Sequence, residues 1–577
     1  MKTQDEKDKL SQLPDCAAEF IKQIIKKMSY RRKVRRDVQA ELIAHFEDAL
    51  KDFETEKERG ERARDLIAEF GDVKLLAILL RRAKKRCRPL WRTIAARSFQ
   101  MLGILILSFI VFEVWFFSGK PTISVDYLSQ LNKINQSQLK NELNGWPNLE
   151  KAMELFVEPD QNTYEIIRMR NGWATPIDSR RYNELSEENQ KAVKKWIEQN
   201  NAAWREFVAS GKGEYFFSQW ERKNKDQDIG DIISSQLDVM RMFVNLGIWR
   251  SRVAEADGQF ATALNECIAL IHVGKNWQNM KGTIAQQRQG LFFSVYAMDE
   301  IFSIISSHEV PVSELNNLQQ ELEDIYSNGF PLLDIKQEEL FFLDNVQNFY
   351  TMGGPGGGHI IPEKLKTLVY KDDIEDFHAG FLPWTLRYIT GDRVPAEILF
   401  NYSCLTMAGR DEIVAKFNEF YNESIILSKM SPYEKHIKGI KTNADAVLNP
   451  FDRFLIVTIF SHPMFLTSDW VYCGKLEYEA LLTTIALKSW YLDKGDYPIS
   501  LEQLIEGGYL NKLPFDPFSG KSLIYKKTKN NFLLYSVGQN FIDDGGEVIK
   551  YLVRDEVYIY KWGLDYKGDA VFWPVQD

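Results

Sequence analysis

Glu41, His45 and Asp48 fall at spacings of four and three, which places an imidazole and two carboxylates on one face of a helix. Such a trio offers nitrogen and oxygen donors to a divalent metal, but a closed site needs a fourth ligand and none is visible nearby. It therefore reads as a polar cluster between packed helices. The glycine-rich stretch from Met352 to His359 lacks the Lys-Ser/Thr of a phosphate-binding loop and sits between no recognisable strand and helix, so it reads as a loop. Asp372, Asp373, Glu375, Asp376 and His378 form an acidic patch that reads as a solvated helix end or turn. His272, His308, His436 and His462 have no nucleophile or acid at a telling spacing. No Gly-x-Ser-x-Gly, Cys-x-x-Cys or His-Glu-x-x-His occurs. No catalytic or cofactor-binding constellation emerges, and the expectation is a protein that is not an enzyme.

The elements that would position these residues are organised around one apolar run. Phe99 to Phe117 carries a single charge, Glu113, and at ~1.5 Å per residue covers roughly 28 Å, the thickness of a bilayer core. Arg81, Arg82, Lys84, Lys85, Arg86, Arg88, Arg92 and Arg97 all flank its N-terminal side. Flanking Lys and Arg are retained in the cytoplasm, so the N-terminal ~97 residues are expected inside and the C-terminal bulk outside. Glu113 lies about one turn from the outer end, where it can reach the headgroups, and Trp115 suits the interface. No second run of about 18 apolar residues is apparent, which predicts a single span.

The net charge of −9 hides a split: residues 1–97 hold 25 basic and 17 acidic residues, the remainder 47 and 64. A basic juxtamembrane segment suits an anionic leaflet, and the acidic bulk argues against a nucleic-acid partner. With 45% apolar and 13% aromatic residues over 577 positions, the chain can fill sizeable cores. Five cysteines, two before the run and three after it, allow no disulfide framework.

Residues 12–28 and 31–53 show helical periodicity, with Val34, Val38, Leu42 and Phe46 on one face of the second segment. The pattern resumes after Gly60 as two short helices punctuated at Gly71-Asp72. Arg36, Glu41-Leu42, His45 and Asp48, followed by Ala63, Ile67, Phe70-Gly71-Asp72 and Leu76-Ala77, resemble the HAAS-type helical domain of bacterial membrane regulatory proteins. That resemblance implies an interaction or regulatory module on the cytoplasmic side. Beyond the run, segments opening near Ser186, Asp231, Gln259, Thr283 and Val312 carry helical spacing with short connections, which predicts an irregular scaffold of antiparallel helices without a fixed repeat.

From about Leu476 a long helix gives way to a turn at Gly495-Asp496-Tyr497-Pro498, a short helix begun by Ser500, and strands at Ser522–Lys526, Asn531–Val537 and Glu556–Trp562. Tyr497-Pro498, Leu501, Leu504, Leu513-Pro514-x-Asp516-Pro517-x-x-Gly520, Tyr525 and Leu534-Tyr535-Ser536-x-Gly538 resemble the soluble half of the major pseudopilin of type II secretion. The chain departs from that family in carrying its apolar run over 350 residues upstream, with no adjoining processing motif, and in inserting Val548–Leu564. The resemblance implies a calcium loop near the C-terminus. Asn540, Asp543, Asp544 and Glu547, with Gly545-Gly546 between, and Asp565 and Asp569 further on are the candidate ligands.

The fold expected is therefore mainly α, with a small C-terminal α+β domain. Its divisions are a cytoplasmic helical domain (1–88), a basic stem (89–97), a transmembrane helix (98–118), an extracytoplasmic helical scaffold (119–470) and the pseudopilin-like domain (471–577). The function expected is that of a bacterial inner-membrane scaffold, embedded in the lipid bilayer with protein partners on both sides. A membrane-anchored extracytoplasmic hydrolase and a transmembrane regulator of transcription are the alternatives.

Overall fold

Amphipathic helices at Asp15–Lys27 (α1), Arg32–Ala49 (α2), Glu56–Phe70 (α3) and Val73–Arg86 (α4) turn their apolar stripes toward one another and close a small core. The computed structural model describes residues 9–86, 90–136, 143–168, 181–223, 227, 229–369, 396–440, 452–553, 556–560 and 568–575. The chain is mainly helical with a small C-terminal strand region, and it separates into two compact units, Met1–Trp115 and Phe116–Asp577.

In the first unit Ala17, Phe20, Ile21 and Ile24 of α1 meet Val38, Leu42, Ile43 and Phe46 of α2, with Ala63 and Leu66 of α3 closing the third side. The rings of Phe20, Phe46 and Phe70 stand 5.8–6.2 Å apart, at separations where aromatic pairs attract beyond simple burial. Thr55 caps α3 by accepting the Glu58 N–H, and its hydroxyl donates to the Glu58 carboxylate at 2.6 Å. Asp72 accepts the Leu75 N–H at 2.8 Å and so starts α4 directly after the Gly71 break.

Leu90–Phe117 forms α5, whose portion from Ile94 to Phe117 has a mean hydropathy of 2.1 over its most apolar window, with only 6% of that window buried. A second helix passes the same test of length and composition, Ile284–Ser307, with hydropathy 1.2 and 72% of the window buried. Gln286, Gln287, Arg288 and Gln289 interrupt its start and Asp299 and Glu300 its middle, so its residues form no continuous apolar run. Among the described residues two helices are thus long and apolar enough to cross a membrane, and they differ in how much of them the protein buries.

The second unit gathers Ile229–Ala256 (labelled α6), Phe260–Gln278 (α7) and Ile284–Ser307 (α8) into a layer where α7 and α8 approach most closely. Gly274 and Gly290 make that approach: a Cβ on Gly290 would stand 2.5 Å from the Gln278 amide nitrogen and from the Gly274 carbonyl oxygen. Ser186 caps the helix at Glu187–Gln199, as its position before the apolar pattern predicts, and Thr283 and Gln286 form a capping box at the start of α8.

Val312–Ile325 (α9), Glu338–Phe349 (α10), Arg410–Leu427 (α11) and Pro432–Ile437 (α12) complete the surroundings of one long helix, α13, spanning Leu455–Lys494. It runs for 40 residues and ends at Gly495, whose left-handed φ of 77° costs a glycine nothing. The boundary expected at 470/471 lies inside this helix.

The strands beyond it are Phe515–Asp516 (β1), Lys521–Ser522 (β2), Ile524–Lys527 (β3), Phe532–Ser536 (β4), Ile549–Val553 (β5), Glu556–Tyr560 (β6) and Ala570–Trp573 (β7). They form the antiparallel sheet β3-β4-β7 and two hairpins, β1-β2 and β5-β6. In the first sheet Tyr525 faces Leu534, and the β4–β7 register shifts between Leu534 and Tyr535. These strands share the core of the helices: Phe572 stacks on Phe302 of α8, and Phe541 stacks on His436 of α12 at 4.1 Å. Gln319 of α9 donates to the Tyr509 carbonyl at 2.9 Å, and the Tyr433 N–H donates to the Pro517 carbonyl at 3.0 Å.

Candidate functional site

The acidic loop after β4 begins with a short turn at Gly538–Asn540 and a left-handed Phe541 (φ 61°), which fold the chain back toward Tyr535. The Tyr535 hydroxyl and the Gly545 N–H both donate to Asp543 Oδ1, at 3.0 and 2.9 Å. Asp544 Oδ2 accepts from Asn540 Nδ2 at 2.9 Å and from the Gly568 N–H at 2.8 Å. Asp569 is fully buried and accepts the Asp544 N–H on Oδ1 (3.2 Å) and the Gly546 N–H on Oδ2 (2.6 Å). Burial pushes its carboxyl above the usual range and the charges of Asp543 and Asp544 add to that, while the two N–H donors oppose it.

Four of the six expected calcium ligands, Asn540, Asp543, Asp544 and Asp569, thus come together. Glu547 joins only through its carbonyl, which accepts the Asp569 N–H, while its side chain is exposed. Asp565 lies outside the described residues. Asn540 turns its nitrogen toward Asp544, and its oxygen accepts the Ile542 N–H at 3.0 Å. Lys526 donates to the Gly545 carbonyl at 3.4 Å and brings a positive charge to the same loop. Backbone N–H groups therefore do here much of the neutralising that a cation would do, and calcium would have to take the carboxylate lone pairs they leave. Among the described residues, no group of three or more His, Cys, Asp or Glu side chains is arranged to hold a metal ion.

Two of the trio on α2 meet separate neighbours. Glu41 pairs with Lys84 of α4, while the His45 ring lies edge-on to Phe70 at 5.4 Å. The glycine-rich stretch is a structured loop: Thr351 accepts the His359 N–H on Oγ1 at 3.0 Å, the Arg410 N–H donates to the Gly358 carbonyl at 3.0 Å, and the His359 ring stacks on Phe116 at 4.9 Å. A Cβ on Gly357, whose φ is 76°, would lie 2.2 Å from the Asp411 carboxylate, so a larger residue there would be strained and would displace that side chain. Burial lowers the His359 pKa below its ordinary value, and Nε2 faces the Phe116 carbonyl at 3.2 Å. The patch from Asp372 to His378 lies outside the described residues.

The interior of the second unit holds charges that periodicity did not announce. Arg252 and Glu300 pair at 3.1 Å with both side chains about 5% exposed. Asp344, fully buried, meets Arg222 at 2.6 Å. Glu255 is shared between Arg181 (3.0 Å) and His308 (2.8 Å). Glu338 accepts the Ile284 N–H at the start of α8, and burial pushes its carboxyl up to about 7. Lys435 donates to Ser468 at 3.1 Å and to Asp469 at 2.8 Å.

Cys267, Cys404 and Cys473 are buried, and burial raises all three thiols, Cys404 to about 12, which leaves them poor nucleophiles. The signal that could have found the buried acids is positional: Glu300 and Glu338 sit where their helices would otherwise place apolar residues. No protein-family model, curated protein or solved structure matches the chain.

Proposed function

We propose that the chain is a membrane-anchored scaffold that links a cytoplasmic helical interaction module to a larger extracytoplasmic binding body. One observation carries the anchoring: α5 is apolar along Ile94–Phe117, yet 6% of its most apolar window is buried by protein. Leaving that much aliphatic and aromatic surface in water costs on the order of 25 cal/mol per Å², so the helix needs lipid around it. By contrast α8 finds its cover inside the second unit. On this reading α5 is the single span, and the basic residues before it set the N-terminus in the cytoplasm.

The scaffold role is supported by where the polar groups go. Buried charges pair with one another, and the acidic loop closes on its own N–H donors, so these groups act as internal braces for a binding surface. The resemblance of residues 471–577 to a pseudopilin then concerns a fold carried on a helical body rather than a subunit of a filament.

Two measurements test the proposal. The full chain should stay with membranes through salt and carbonate washing while residues 119–577 appear in the soluble fraction. A reporter fused after Asp577 should be active only outside the cytoplasm, and one fused before Arg81 only inside. Retention of the 119–577 fragment in the washed membrane would make α8 or another segment a second span and overturn the topology.

A further inference from the structure

Besides α5, one helix of the first unit carries aliphatic side chains left exposed among the described residues. In α4, Val73, Leu76, Ala77 and Leu80 face the core, as their spacing requires. Leu75, Ile78 and Leu79 fall on the opposite side and are 58%, 40% and 50% exposed. Spaced at three and four residues, they make one continuous apolar patch on the outward face. A helix that only covered a core would carry polar residues there.

The charges on α4 indicate what the patch meets. The helix has no acidic residue. Lys74, Arg81, Arg82 and Lys85 are exposed around or just beyond the patch, whereas Lys84 turns inward to Glu41. Aliphatic side chains set among exposed cations, with no anion on the helix, suit a surface that is apolar below and negatively charged at its rim. A bilayer leaflet containing anionic phospholipid is such a surface. Position on the chain agrees: α4 ends at Arg86 and the apolar helix α5 begins at Leu90. The three residues between them span at most ~14 Å from end to end, which gives α4 a high effective concentration at any membrane that holds α5.

We propose that α4 lies on the membrane surface, with Leu75, Ile78 and Leu79 in the headgroup–acyl boundary and Arg81, Arg82 and Lys85 on anionic headgroups. This rests on reading α5 as a membrane span, and the test separates the two. Residues 1–86 contain the whole core of the first unit, which is built from positions 10 to 77, and lack α5. That fragment should float with vesicles of phosphatidylcholine containing one-third phosphatidylglycerol and bind pure phosphatidylcholine at least ~10-fold more weakly, with the difference shrinking in high salt. Changing Leu75→Ser, Ile78→Ser and Leu79→Ser together should reduce binding at least ~10-fold while leaving the unfolding midpoint in place, because these side chains are exposed in the folded unit.

Absence of binding to anionic vesicles by a folded fragment, or equal binding by the triple variant, overturns the proposal. A lipid-independent dimer that the same three changes dissolve would give the patch to a second copy instead. Should the fragment lack helical circular dichroism, the full chain in nanodiscs decides: amide exchange across 73–86 should slow in anionic relative to zwitterionic lipid, and equal exchange overturns the proposal. Carbonate resistance of the full chain set against release of residues 119–577 reports on α5 and does not depend on α4, so either reading can fail without the other.

Discussion

Replacing Glu338 by glutamine should remove a pH dependence that the wild-type protein owes to one buried carboxyl. Glu338 is 6% exposed and accepts the Ile284 N–H, which ties α10 to the start of α8. Burial raises its pKa from 4.5 to about 7. Between those two values the folded protein holds a proton that the unfolded chain has released, so stability falls as pH rises through this window and levels off above it. An interval of about 2.5 pH units at 1.36 kcal/mol each amounts to roughly 3 kcal/mol. For a unit of some 460 residues, with an unfolding entropy of ~2.1 cal/mol/K per residue, that corresponds to a change in Tm of about 3 °C. Thermal unfolding of residues 119–577 from pH 4.5 to 8, in wild type and Glu338→Gln, gives the difference directly. Glutamine keeps an acceptor for the Ile284 N–H and does not titrate, so the variant should gain on the wild type as pH rises and hold that gain above pH 7. Parallel profiles would show that Glu338 is hydrated enough to ionise at its ordinary pKa, and would refute the reasoning.

Gly290→Ala should lower the unfolding midpoint strongly, by the equivalent of ~3 kcal/mol or more, because its Cβ meets the backbone of α7 and a backbone cannot rotate away. Glu300→Gln should cost about 3–5 kcal/mol in urea unfolding by stranding Arg252, whereas Arg252→Met with Glu300→Leu should recover most of the loss. Calcium should raise the Tm of residues 119–577 relative to chelator, magnesium should do so less, and Asp543→Ala with Asp544→Ala should abolish the difference. Identical midpoints in calcium and chelator would leave the acidic loop to its N–H donors.

Much of the helical plan is legible in residue spacing. Ser186, Thr283 and Gly495 mark real helix ends because caps obey local rules that depend on few neighbours. The acidic loop was also visible as a cluster, since Asn540, Asp543 and Asp544 are close in sequence. Asp569 is named with them through the family resemblance, but its role as acceptor of the Asp544 and Gly546 N–H groups, and the Gly568 N–H that closes the loop, are not legible, because they depend on chain returning from beyond β6. The same limit hid the pairs Arg252–Glu300 and Arg222–Asp344, whose members are 48 and 122 positions apart. Periodicity states which face of a helix turns inward, but not which charge waits on the facing helix. The glycine-rich stretch shows the converse: its composition suggests slack, yet Asp411 and Phe116 fill the space around it.

The length of α13 has a mechanical consequence. Hinged motion between parts of a chain needs a loop or the end of an element to absorb the change in backbone angles, and from Met464 to Lys494 there is neither. About 46 Å of helix, at ~1.5 Å per residue, therefore forms a stiff spine to which the strand region is held at two places, by Lys475 over the Phe515 ring and Lys488 over the Trp573 ring. Anything that grips the strands therefore pulls on the helical body as well, because Phe572 of β7 stacks on Phe302 of α8 while α13 holds the same strand region from its other side.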